Sequence, residues 1–173
     1  SDSLEYNHIS AEVIASDPSS YFNSLVINRG RVHGIRVDMP VVAFEDGYQG
    51  LVGKVAAVGP FSSQVLPLFD SQCFVASRLQ NTRFTGLVRG TGDRFAFLVM
   101  AYVPKSSRNL ISVGDLVSTS GRSQIYPKDI YVGRIRNITA KEWETSLSLE
   151  LEPMVDFSRV EYVYVLEAAG VNE

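Results

Sequence analysis

Apolar residues recur at every second position along most of this chain, and that period dictates strands rather than helices. "HISAEVIA" (8–15), "SLVIN" (24–28), "VLPLF" (65–69), "FAFLVMAYV" (95–103), "SLSLELE" (146–152) and "VEYVYVL" (160–166) all alternate or run β-branched and aromatic. Each reads as a strand with one face buried. Turn signals fall between them at short intervals: Asp17-Pro18, Arg29-Gly30, His33-Gly34, Asp46-Gly47, Gly59-Pro60, Gly90-Thr91-Gly92, Ser120-Gly121 and Tyr126-Pro127. Many short strands with such punctuation predict an all-β sandwich or barrel. The helix candidates are short, at 105–109 and 157–159. Hydrophobic residues make up 45% of the 173, enough for a core.

An internal repeat divides the chain. "LVGKVAAV" (51–58) matches "YVGRIRNI" (131–138) as valine, glycine, a cation and a β-branched residue in register. A V-x-x-x-V stretch precedes each copy, "VDMPV" (37–41) and "VGDLV" (113–117), and an alternating strand follows each. The expected architecture is two small tandem β-barrels with very little helix: 1–72 and 73–173, the boundary near 70–76. The C-terminal strand, 159–167, is apolar on both faces. It is therefore expected to return to the first barrel.

The first repeat sits in "GYQGLVGKVAAVG" (47–59), which invites a phosphate-loop reading. That loop needs G-x-x-x-x-G-K-[ST] between a strand and a helix. Here the first glycine position holds Tyr48, Val55 follows Lys54, and "VAAVG" is too short for the helix. A glycine shared by two strand-like copies instead marks a bulge or bend.

Catalytic readings fare no better. His8 and His33 lack any H-E-x-x-H context, and one cysteine, Cys73, gives neither a disulfide nor a Cys/His metal spacing. A serine-protease reading would place the nucleophile at Ser120, but Gly114-Asp115-Leu116 breaks the G-D-S-G-G pattern. Glu150 and Glu152 alternate with leucines as the wet face of a strand, and Asp156/Glu161 form no further pattern. No catalytic residue, metal or cofactor is expected. The net charge of −3 excludes a general nucleic-acid binder. Arg29, Arg31 and Arg36 share one loop, either as solvated charge or as a contact to an anionic polymer or membrane surface. Phe95, Phe97, Tyr162 and Tyr164 are the candidate partner or interdomain surface, because each pair alternates on a strand-like run. No stretch approaches the roughly 18 apolar residues of a membrane span. The opening "SDSLEYNH" is no signal peptide, and an anchoring segment is expected upstream.

Several stretches in order resemble the bacterial rod shape-determining family MreC: "DPSSYFNSLVINRGRVHGI" (17–35), "MPVVA" (39–43), "GLVGKVAAVGPFSSQVLPLFD" (50–70), "GLVRGTGD" (86–93), "AYVPK" (101–105), "VGDLVSTSG" (113–121), "IYPKDIYVGRI" (125–135) and "LEPMVDFSRVEYVYVL" (151–166). Asp38 stands where that family often has glycine. The resemblance implies the two-barrel part of a protein anchored in the inner membrane, on its extracytoplasmic, periplasmic side. It implies a non-enzymatic scaffold of side-wall peptidoglycan synthesis that maintains rod shape. It also implies contacts with a class B penicillin-binding protein, RodA and MreD, and self-association. The rival readings are a cell-wall or carbohydrate-binding β-module and a β-barrel hydrolase.

Overall fold

The computed structural model describes residues 6–17 and 23–167. Pro18–Phe22, in the "DPSSYF" run, lie outside the described residues. The fold is all-β: twelve strands are present among the described residues, and the helical content is two 3-10 turns, Arg31–His33 and Lys105–Leu110. The second turn coincides with the candidate at 105–109; the other candidate, 157–159, is a plain turn.

The strands are β1 (His8–Asp17), β2 (Ser24–Ile27), β3 (Pro40–Glu45), β4 (Tyr48–Val58), β5 (Ser63–Pro67), β6 (Phe74–Leu79), β7 (Thr85–Arg89), β8 (Leu98–Pro104), β9 (Leu116–Thr119), β10 (Tyr131–Thr139), β11 (Ser146–Pro153) and β12 (Tyr162–Leu166). Hydrogen-bonded neighbours run β4-β3-β12-β1-β2-β5, and β5 pairs back onto β4. The remaining strands run β11-β8-β7-β6-β9-β10, and β10 pairs back onto β11. One parallel pair, Tyr131 with Gly50, joins these two circuits into a continuous sheet.

Local sequence explains the connections. Asp46 and Gly47 both take positive φ, 49° and 83°, as a two-residue hairpin between β3 and β4 requires. The glycine-rich stretch is therefore one long strand, β4, with two bulges. Its register slips between Leu51 and Gly53 against β3, and between Val55 and Ala57 against β5. Strand β10 slips at the matching places, between Tyr131 and Gly133 against β9 and between Ile135 and Asn137 against β11. Each bulge bends its strand and sharpens its twist, which lets a six-strand circuit close.

The period-two pattern becomes burial. Val41, Leu51, Val55, Val65 and Val165 are fully buried among the strands of the first circuit. Val75, Val88, Met100, Leu149 and Leu151 are fully buried in the second. At roughly 1.5–3 kcal/mol for each such side chain, this core is the main stabilising term. Between β5 and β6 the chain turns at Asp70, which is buried; its carboxylate accepts hydrogen bonds from the Asn23 N–H (2.9 Å) and the Gln72 N–H (2.8 Å).

Two strand readings need correction. "FAFLVMAYV" is not a strand throughout, because β8 begins at Leu98. The Asp93 carboxylate accepts the Phe95 N–H at 2.9 Å and the Asp93 carbonyl accepts the Ala96 N–H at 3.1 Å, so a local turn outcompetes extension there. Strand β12 pairs with β1 and β3, but it is not covered on both faces along its length: Val163 and Val165 are buried, whereas Tyr162 is 62% exposed.

Candidate functional site

A cleft of about 630 Å³ opens where the β3–β4 turn, the β7–β8 loop, β10 and the segment after β11 converge. Glu45, Asp46 and Tyr48 come from the first element, Arg94 and Phe95 from the second, Arg134 from the third, and residues 152–158 from the end of β11 and the segment after it. These four pieces are far apart in sequence, and both circuits contribute.

The last piece is the run Pro153-Met154-Val155-Asp156-Phe157-Ser158, and its last four residues each have a mechanical role. Gly50 leaves a notch that Val155 fills; a Cβ at Gly50 would stand 2.6 Å from Val155 Cγ2. Phe157 is buried and meets Phe69 edge-to-face at 5.0 Å. The Asp156 N–H donates to Glu45 Oε1 at 3.0 Å. Its carboxylate accepts the Ser158 hydroxyl (2.5 Å) and the Ser158 N–H (3.0 Å), and these bonds hold it below the usual carboxylate range. The segment thus clasps one circuit to the other.

The walls carry both signs of charge. The Arg134 guanidinium lies over the Tyr48 ring at 5.6 Å, and Tyr48 meets Tyr131 edge-on at 5.3 Å. Arg94 lies over Phe69 at 5.8 Å. Glu45, Asp46, Glu152 and Asp156 line the same cleft, Glu152 as the cross-strand neighbour of Arg134. Phe95, 78% exposed, offers its ring at the lip. An exposed aromatic surrounded by rigid, mixed charges is suited to gripping another polypeptide.

The four sequence candidates are not brought together. Phe95 lines the cleft. Phe97 is half-buried, with the Arg136 guanidinium 5.3 Å above its ring. Tyr164 is half-buried between His8 (5.4 Å) and Phe44 (5.5 Å), and Tyr162 stands exposed beside it on β12. Sequence reasoning missed Glu45, Asp46, Tyr48, Arg94 and Arg134. The "P-M-V-D-F-S-R" run was a usable signal, since so specific a string without strand alternation implies a fixed non-repetitive path.

The residues considered for catalysis have separate, local partners. His33 Nδ1 accepts the Gly30 N–H at 2.9 Å. His8 Nδ1 sits 3.3 Å from the Tyr6 carbonyl. Ser120 Oγ accepts the Arg122 N–H at 3.3 Å.

Comparison with known proteins identifies the lineage of this arrangement. The family model described as rod shape-determining protein MreC, barrel core, matches residues 13–167. The chain belongs to the MreC family. It is 26% identical over 169 residues to the cell shape-determining protein MreC of Geobacillus stearothermophilus, covering 94% of this chain and 57% of that protein. It therefore spans little more than half the length of that relative. The solved MreC of Listeria monocytogenes is similar with a TM-score of 0.83 and 26% identity, covering 100% of this chain and 83% of that one. Two further MreC structures share the fold. The major periplasmic domain from the cell shape-determining filament MreC gives a TM-score of 0.76 at 23% identity, covering 98% of this chain and 100% of that one. A chain of the complex between a penicillin-binding protein (PBP2) and MreC from Helicobacter pylori gives 0.61 at 16% identity, covering 93% and 99%. The matched residues thus include every wall of the cleft and both circuits except the first half of β1.

Proposed function

We propose that this chain is the extracytoplasmic part of a non-catalytic MreC scaffold that maintains rod shape by organising side-wall peptidoglycan synthesis. The match of the family model over residues 13–167 carries this reading. The chain works as two tandem barrels, 1–72 and 73–173, with 159–167 returning to the first. The closure of each circuit and the pairing of β12 with β1 and β3 support that division. Its site is periplasmic, reached through an anchor upstream. A structural relative described as a periplasmic domain supports this, and among the described residues no helix is long and apolar enough to cross a membrane.

The partner we assign first is a class B penicillin-binding protein, on the strength of the relative solved in complex with one. RodA, MreD and a second copy of MreC follow from the family resemblance. Phe95, Phe97, Tyr162 and Tyr164 are the partner or interdomain surface, with Phe95 and Tyr162 the most available. The test is direct binding of the chain to the extracytoplasmic part of the penicillin-binding protein, together with rescue of rod shape in cells lacking their own MreC by the chain fused to a membrane anchor. Binding and rescue are expected. Rescue with no measurable binding to that protein would overturn the partner assignment.

A further inference from the structure

A second surface lies at one end of the first circuit, away from the cleft. The loop between β2 and β3 carries Arg29, Arg31 and Arg36, and no carboxylate occurs from 28 to 37. The β4–β5 turn, 59–62, lies against it and is also free of acid. Val32 is 62% exposed, Val37 54% and Phe61 71%. The two loops are stapled through their backbones. The Arg31 N–H donates to the Gly59 carbonyl at 2.8 Å and the Val32 N–H to the Pro60 carbonyl at 3.1 Å. Gly30 allows this approach, since a Cβ there would stand only 2.7 Å from the Phe61 nitrogen. The Ser63 hydroxyl ties the base of the turn to the Arg29 carbonyl at 2.8 Å. Val32 and Phe61 are thus held at neighbouring loop tips by structure that needs no further ordering.

We propose that this tip is a peripheral contact to an anionic lipid surface, with Val32 and Phe61 entering the headgroup–acyl boundary and Arg29, Arg31 and Arg36 meeting lipid phosphates. Charge complementarity selects that occupant. The chain as a whole is acidic, at −3, so any attraction to a negative surface must be local and must orient the molecule. The first acid after the loop in sequence, Asp38, is paired with Lys54 at 3.4 Å. The shape agrees. Two adjoining loops with exposed apolar tips suit a deformable layer that offers phosphate at one depth and hydrocarbon just below it. This inference does not depend on the scaffold reading.

The test is co-sedimentation of the chain with vesicles of equal parts phosphatidylglycerol and phosphatidylcholine, and with phosphatidylcholine alone. Binding to the anionic vesicles only, weakened by salt, is expected. Arg31→Ser and Arg36→Ser should each weaken it about fivefold, since one arginine near an anionic leaflet is worth about 1 kcal/mol. Phe61→Trp in a Trp143→Phe background should show blue-shifted emission and quenching by brominated acyl chains. Trp143 is 81% exposed, so its replacement leaves the fold intact; thermal melting checks every variant. Equal binding to both vesicle types overturns the proposal. So does unchanged binding by the two serine variants. Full competition by soluble polyphosphate, with the new tryptophan still in water, would mark a plain anion patch and overturn it too.

Discussion

Gly53 and Gly133 occupy the same place in two different circuits. Gly53 faces Pro67 of β5 and Gly133 faces Pro153 of β11. A Cβ at Gly53 would fall onto the carbonyl oxygen of Leu66, and one at Gly133 onto that of Glu152, each the residue before the proline. These are backbone atoms inside closed sheets, so neither can yield cheaply. Gly53→Val and Gly133→Val should each destabilise by about 3 kcal/mol, the upper part of the range for overpacking. For a chain of this size that lowers Tm by about 6–12 °C. Unchanged melting in both would remove the equivalence.

The same correspondence predicts how Asp38 behaves. Its φ is 73°, and Gly114, its counterpart in the second copy, has φ 96°. The Asp38 N–H donates to the Val55 carbonyl as the Gly114 N–H donates to the Ile135 carbonyl, at 2.9 and 2.7 Å. An L side chain in this left-handed region costs about 1 kcal/mol or slightly more. Asp38→Gly and Asp38→Ala both lose the exposed pair with Lys54, which is worth little. Only glycine relieves the backbone. The Gly variant should therefore be more stable than the Ala variant by about 1 kcal/mol in urea unfolding, and an Ala variant at least as stable would contradict the assignment.

These matched positions show what was legible in the sequence. The all-β class, the Asp46-Gly47 hairpin and the repeat around Gly53 and Gly133 were readable because they rest on local period and turn chemistry. The equivalence of Pro67 and Pro153 was not, since the strands carrying them differ in every other residue. Phe95 was misread as strand because Asp93, which folds the chain back, leaves no mark on the alternation. The cleft was illegible for a different reason. Its walls are assembled by the single parallel pair between Tyr131 and Gly50 and by the notch at Gly50 that receives Val155, and neither contact has a local signature.

Burial of Cys73 should make the fold sensitive to alkali. Its thiol is buried 3.8 Å from the Tyr126 hydroxyl, and burial pushes its pKa up from 9.0 to about 11. Tyr126 is shifted upward as well, first by its own burial and then by Cys73. A folded state that holds its proton more tightly than the unfolded state keeps full stability below the unfolded pKa and loses it as pH rises through the folded one. The contribution of these two groups should therefore be constant from neutral pH up to about 9, and stability should fall by about 1–3 kcal/mol between pH 9 and 11. Urea midpoints across that window test it. Cys73→Ala should start less stable but show a shallower alkaline slope; an unchanged slope would assign the loss to other groups.

The last prediction concerns the partner surface and separates Phe95 from Tyr164. Phe95 is 78% exposed, and its turn is held by the Asp93 side chain rather than by its own ring. Phe95→Ser should leave melting within about 2 °C, because a surface change away from caps and cores shifts stability by less than about 0.5 kcal/mol. Tyr164 instead packs against His8 and Phe44, so Tyr164→Ser should lower Tm by several degrees, at about 2–4 °C for each kcal/mol of lost ring contact. If the cleft receives the penicillin-binding protein, truncating an anchor at its lip should cost about 2 kcal/mol of binding, a roughly thirtyfold rise in Kd. Glu152→Lys, in the cleft lining, should weaken binding without unfolding the chain, because its side chain is exposed at the end of β11. The triple variant Ser120→Ala, His8→Ala, His33→Ala should bind as the parent does, since Ser120 and His33 serve only local hydrogen bonds and the His8 ring meets Tyr164 outside the cleft lining; melting checks the lost ring contact. Titration calorimetry against the extracytoplasmic part of the penicillin-binding protein reads all of these variants. A Phe95→Ser chain that stays folded and binds with unaltered Kd would take the cleft out of the interface and leave Tyr162, on the outer face of β12, as the next residue to test.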